Sequence, residues 1–134
     1  MTKLLIAAFL LAHAGIHVAF ISPRPPATAG GSAWPFELAR SWLLTPAGVD
    51  SEITRAVGLA LTVATLGGFA LAALAVVGVL PAGLWFPTLF LGSLASITLL
   101  GLFFHPGLVL GLAIDVALVW LALIADWTPD SLLT

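Results

Sequence analysis

Four stretches of this chain are apolar over a length that crosses a bilayer, and that constrains the fold more than any other feature. A spanning helix needs about 20 predominantly apolar residues. The runs 3–21, 53–79, 84–104 and 107–125 qualify. Only 7% of the residues are charged and 61% are hydrophobic, whereas soluble domains carry about a quarter charged residues. The expected fold is an all-α membrane protein, a four-transmembrane-helix bundle forming a single transmembrane domain over 1–134.

The connections are unequal. Residues 22–52 form one long loop, Pro81-Ala82-Gly83 a tight turn, and His105-Pro106 a minimal break. Short connections force the second, third and fourth helices into an antiparallel row. An even number of spans puts the N- and C-termini on the same side. The N-terminal run resembles a signal peptide, with Lys3 ahead of an apolar stretch and an Ala12-His13-Ala14 pattern; it is read here as a retained helix. Arg24, Arg40 and Arg55 draw the long loop toward the cytoplasm, while Lys3 pulls the other way.

Within the long loop, "SPRPPATAGGS" reads as irregular chain. "WPFELARSWLL" follows and gathers Phe36, Leu38, Ala39, Trp42 and Leu43 near one helical face. That pattern predicts a short interfacial amphipathic helix, with Trp34 and Trp42 at headgroup depth. Trp85, Trp120 and Trp127 are expected to form the aromatic belt at the opposite face.

Several chemistries are excluded. The chain has no cysteine, hence no disulfide and no thiolate nucleophile or ligand, and no tyrosine. Its net charge of −2 gives no footprint for nucleic acid. Neither a P-loop nor a dinucleotide fingerprint occurs, and no serine sits in a nucleophile elbow. No catalytic residue is expected, and a non-enzymatic role is the expected one.

The polar residues within the spans carry the interest. His13 and His17 are four residues apart and share a helix face. At a rise of ~1.5 Å per residue, His17 lies ~6 Å and His13 ~12 Å below the long-loop boundary. Asp115 lies eight residues into the fourth span, again ~12 Å deep. His13 and Asp115 are therefore level. Arg55 enters from the same face, with Glu52 one turn earlier as its partner. The expected buried polar cluster is His13, His17, Asp115, Arg55 and Glu52. Ser93 and Ser96 lie near the middle of the third span, where serine usually bonds its own backbone or a neighbour. Gly107, Gly111, Gly68 and Gly92 supply small surfaces for close helix approach.

A charge at the bilayer centre costs ~2.5–3.5 kcal/mol on insertion scales, so Asp115 needs a partner. One reading is a hydrogen-bonded clasp between the first and last helices. A second is a metal site, with His13, His17 and Asp115 as ligands for a transition metal, or an axial histidine for a haem- or chlorophyll-type macrocycle. A third is a proton or small-solute transporter working as an oligomer.

At "LLAHAGIHVAF" and "LFFHPGLVLGLAIDVALVWLAL" the chain resembles a group of small, uncharacterised bacterial four-helix integral membrane proteins. These carry a first-helix HxxIH motif and a last-helix HPxLVxGxxID motif. The matching residues are His13, Ile16, His17, His105, Pro106, Leu108, Val109, Gly111, Ile114 and Asp115. The resemblance implies a bacterial inner-membrane location and adds weight to the His–Asp site, without supplying an activity. The expected role is a structural or accessory subunit of a membrane complex or homo-oligomer. The alternatives are a metal- or porphyrin-binding redox subunit and the oligomeric transporter. The expected partners are the lipid bilayer and other membrane subunits or copies of itself.

Overall fold

The computed structural model describes residues 1–27, 29–31 and 33–124. Four α-helices make the fold: α1 (Thr2–His17), α2 (Ser51–Val76), α3 (Trp85–Leu102) and α4 (Val109–Leu123). Single 3-10 turns extend three of them, at Val18–Phe20 after α1, Ala82–Leu84 before α3 and Pro106–Leu108 before α4. The spans so formed, Thr2–Phe20, Ser51–Val76, Ala82–Leu102 and Pro106–Leu123, are long and apolar enough to cross a membrane.

The helix ends follow local chemistry. Asp50 caps α2 by accepting a hydrogen bond from the Glu52 backbone N–H at 2.7 Å. Gly78 adopts φ 83° just past α2, which lets Val79 N–H reach back to Leu74 C=O at 2.9 Å and close the helix. At the other turn, His105 Nδ1 accepts from Gly107 N–H at 3.0 Å, and Pro106 fills the first position of the turn that leads into α4.

The helices pack in chain order: α1 on α2, α2 on α3, α3 on α4. α1 and α4 are not close-packed. An apolar groove of 380 Å³ separates them, with Leu5, Phe9 and Leu10 on one wall and Ile114, Leu118 and Leu121 on the other. The tightest crossing is between α2 and α3. A Cβ on Gly68 would stand 2.5 Å from Gly92 Cα and 3.0 Å from Thr88 C=O. Only glycine lets these two backbones meet.

Two apolar clusters fill the bundle. One, away from the long loop, joins Leu10, Phe69, Val76, Trp85, Leu89 and Leu118. The other, at the loop end, joins Phe20, Leu38, Leu99, Leu100, Phe103 and Leu108. The buried polar residues discussed below fall between them.

The predicted interfacial helix is absent: residues 33–49 form bends and turns. Pro35 and Pro46 leave room for fewer than three turns, and helices this short are marginal without tertiary support. Ser41 also competes for the backbone. Its hydroxyl accepts from the Leu43 and Leu44 N–H groups at 3.3 and 3.1 Å and donates to Leu102 C=O at 2.5 Å. The segment instead plugs the bundle through Leu38, whose Cδ2 lies 2.6 Å from where a Cβ on Gly58 would be. Leu38→Ala empties this contact. The expected result is faster proteolytic cleavage within 22–50, with the helical content unchanged; limited proteolysis in micelles checks it.

The tryptophans divide. Trp42 is exposed and its indole N–H donates to Gly101 C=O at 2.7 Å. Trp34 is half-buried, edge-on to Phe36. Trp120 is exposed on α4. Trp85 departs from the belt expected of it. Only 2% of it is exposed, because the short turn after α2 rotates the start of α3 inward against Val76 and Leu89. Trp127 lies outside the described residues.

Candidate functional site, a closed polar ring between three helices

Side chains of α1, α3 and α4 meet at mid-bundle. His13 Nε2 lies 2.8 Å from Asp115 Oδ1. Asp115 Oδ2 lies 2.5 Å from Ser96 Oγ. Ser96 Oγ lies 2.8 Å from His17 Nε2. His17 Nδ1–H donates to His13 C=O at 3.1 Å, which returns the path to α1. The four contacts form a ring. Asp115 and Ser96 are fully buried, and His13 and His17 nearly so.

The local sequence explains the convergence. The i, i+4 spacing puts both imidazoles on the inner face of α1 and lets His17 reach the His13 carbonyl. Ser96 lies on α3 four residues from Gly92, on the buried side of the helix. Gly111, one turn before Asp115, brings α4 against Leu100 of α3; a Cβ there would stand 3.2 Å from Leu100 Cδ1.

An aromatic file flanks the ring. Phe9 stacks on His13 with centroids 6.3 Å apart, and Phe69 of α2 meets His13 edge-on at 5.2 Å. Phe20 stacks on His17 at 6.3 Å and in turn meets Phe36 of the long loop at 5.1 Å. A cavity of 140 Å³ opens beside the two histidines, walled by Phe20, Phe36, Leu108 and Ile114. His13 Nδ1 is buried without a hydrogen-bond partner among the described residues.

Ligand atoms of His13, His17 and Asp115 lie within 4.8 Å of one another, a grouping able to hold a metal ion. In the present arrangement His13 Nε2 and Asp115 Oδ1 serve one another, and the two nitrogens of His17 are taken by Ser96 and the His13 carbonyl. Ligands ~2.1 Å from a tetrahedral metal stand ~3.4 Å apart, and the 2.8 Å His13–Asp115 contact is hydrogen-bond length. A macrocycle finds no room between them: 140 Å³ is below the ~300–1,000 Å³ of cofactor pockets.

Two residues assigned to the cluster from sequence are not in it. Arg55 and Glu52 are both exposed, and no ion pair joins them among the described residues. Arg55 borders a separate polar recess with Arg24 and Glu37 under the long loop. Depth along a helix does not set the direction a side chain faces, and on this turn Thr54 takes the inward position, fully buried. Ser96 is the member that sequence reasoning left out. The depth arithmetic that paired His13 with Asp115 also finds it: counted from residue 104, it lies eight residues into the third span, ~12 Å deep.

The chain matches no family model, no curated protein and no solved structure.

Proposed function

We propose that this chain is a structural or accessory component of a membrane assembly, and that its polar ring is a clasp holding α1 to α3 and α4. The observation that carries the reading is closure. Each of the ring's four contacts runs from one member to another, and all four residues are buried, with His13 Nδ1 the one ring nitrogen without a hydrogen-bond partner among the described residues. On α2 and α3 the half of the bundle away from the loop offers no onward path, since Leu66–Val76 and Trp85–Leu91 contain no ionisable residue. α1 has no close backbone packing on α4, so the clasp supplies the polar link between the two helices.

The lipid-facing surface carries Leu4, Leu5, Val63, Leu91, Leu110 and Trp120, and the short turns leave little aqueous surface for binding. Other membrane subunits or further copies of this chain are the partners that suit it. Small bacterial four-helix proteins that share the HxxIH and HPxLVxGxxID motifs carry the residues for the same His13–Asp115 link.

Native mass spectrometry on protein extracted gently from its own membrane tests the role. Bare chain travelling with other subunits, or with copies of itself, is the expected result. A lone chain carrying a stoichiometric metal or macrocycle would replace this reading with that of a redox subunit.

A further inference from the structure

We propose that the recess under the long loop binds the headgroup of an anionic phospholipid, with Arg24 and Arg55 holding its phosphate. The recess, 230 Å³ in volume, lies where the first span ends beside the start of α2, with the loop along one side. It is separate from the polar ring, and none of the ring residues lines it.

The recess carries a surplus of positive charge and of unused N–H donors. Arg24, Arg55 and Glu37 border it, two cations against one carboxylate. Arg24 Nη1 stands 3.8 Å from Glu37 Oε2, and both side chains are exposed. That separation gives attraction between charges but exceeds hydrogen-bond length, so the Arg24 N–H groups stay available. Arg55 makes no hydrogen bond or ion pair among the described residues, although Glu52 lies one turn away. The indole N–H of Trp34, which also borders the recess, has no acceptor among the described residues. A guanidinium presents five N–H donors in a rigid planar fork that matches the oxygens of a phosphate. Two such forks on one recess, with one positive charge in surplus, are complementary to a single phosphodiester.

Depth and lining favour a lipid over a free anion. α2 has 26 residues, about 39 Å at the helical rise, and exceeds the ~30 Å hydrocarbon core by about 9 Å. Its charged residues, Glu52 and Arg55, sit within its first five positions. The excess length therefore lies at this end and puts Arg55 in the headgroup layer. The rest of the recess is apolar, with Ile21 at the end of the first span and Leu59 one turn deeper than Arg55. A phospholipid suits both walls. Its phosphate oxygens accept from the guanidiniums, while its glycerol backbone and first chain carbons lie along Ile21 and Leu59. Free phosphate leaves the apolar wall uncovered. Basic pockets between spanning helices hold anionic headgroups on the same grounds. Glu37 keeps the surplus at one charge, that of a phosphatidylglycerol headgroup, and its carboxylate accepts from that headgroup's hydroxyls. A choline headgroup has no net charge and no hydroxyl to offer.

The test is lipid titration of the full chain in neutral micelles, read by native mass spectrometry. One phosphatidylglycerol per chain is expected to stay bound, with phosphatidylcholine at least tenfold weaker. Arg24→Gln and Arg55→Gln should each weaken phosphatidylglycerol binding about tenfold, the low end for a hydrogen bond to a charged group. Both side chains are exposed, so the helices are expected to form in either variant. Arg40→Gln is the control: Arg40 is exposed on the same loop but does not border the recess, and its loss should change binding less than twofold.

Equal binding of the two lipids overturns the site, and so does the absence of a one-to-one phosphatidylglycerol complex. A loss in Arg40→Gln as large as in Arg55→Gln reduces the effect to general surface charge and also overturns it. Inorganic phosphate that displaces phosphatidylglycerol at millimolar concentration makes the recess a free-anion site and overturns the lipid. The wild-type comparison of lipids and phosphate stands without any variant. None of these outcomes touches the His13–Asp115 clasp, whose failure is read by unfolding of ring variants.

Discussion

Gly68→Val is expected to keep α2 from docking on α3. A single methyl group at this position would already lie 2.5 Å from Gly92 Cα and 2.7 Å from Gly92 N. Both neighbours are backbone atoms, so no rotamer change relieves the overlap. The reverse view agrees: a Cβ on Gly92 would meet Phe69 N at 3.0 Å and Gly68 C at 3.1 Å. Overpacking a tight site costs ~1–3 kcal/mol for modest additions, and Gly68→Ala should fall at the top of that range. The β-branched valine should exceed it and leave little folded protein. Gly67 is the control, because a Cβ there meets nothing within 4 Å, and Gly67→Ala should be nearly silent. Unfolding in mixed micelles, followed by the fluorescence of the five tryptophans, reads all three variants.

The second large effect is at His13. His13→Ala removes the link from α1 to Asp115 at 2.8 Å and leaves the fully buried carboxyl with Ser96 as its remaining ring partner. Removing one member of a buried pair costs ~3–5 kcal/mol, mostly because the other is left uncompensated. A loss of about 3 kcal/mol is expected, the low end, since Ser96 stays in place. His17→Ala should cost less, about 1–2 kcal/mol, because its bonds run to a hydroxyl and a backbone carbonyl. The same micelle unfolding assay compares them. Equal losses would contradict the distribution of bonds described above.

The spans and the pairing of His13 with Asp115 were legible in the sequence because both depend on distances along a helix axis. Apolar length sets a span, and a rise of ~1.5 Å per residue sets relative depth. What the sequence concealed depends on rotation about the axis and on tertiary support. Arg55 and Thr54 are adjacent, and depth alone cannot say which faces inward; the bundle buries Thr54. Trp85 was assigned to the lipid boundary from its position in the span, but the turn before it aims the ring into the core. The loop pattern at Phe36–Leu43 matched an amphipathic helix, yet Leu38 gains more from filling the space above Gly58 than the segment gains from two isolated turns. Ser96 was misjudged for a different reason: serine in an apolar helix usually satisfies itself locally, and here two histidine-bearing turns of α1 and a carboxyl of α4 give it partners farther along the chain.

The unequal connections impose an order of assembly. α2 and α3 are joined through 77–81, and α3 and α4 through 103–105, whereas 21–50 separates α1 from α2. Closing the longer segment costs about 1–2 kcal/mol more in chain entropy, so the three later helices collect as consecutive hairpins before α1 arrives. Asp115 and Ser96 meet within that precursor. They face hydrocarbon on one side until His13 and His17 cover them, and the last helix to dock brings the groups that end their exposure. A chain held at that stage would display a carboxyl to the lipid, which the docking of α1 removes.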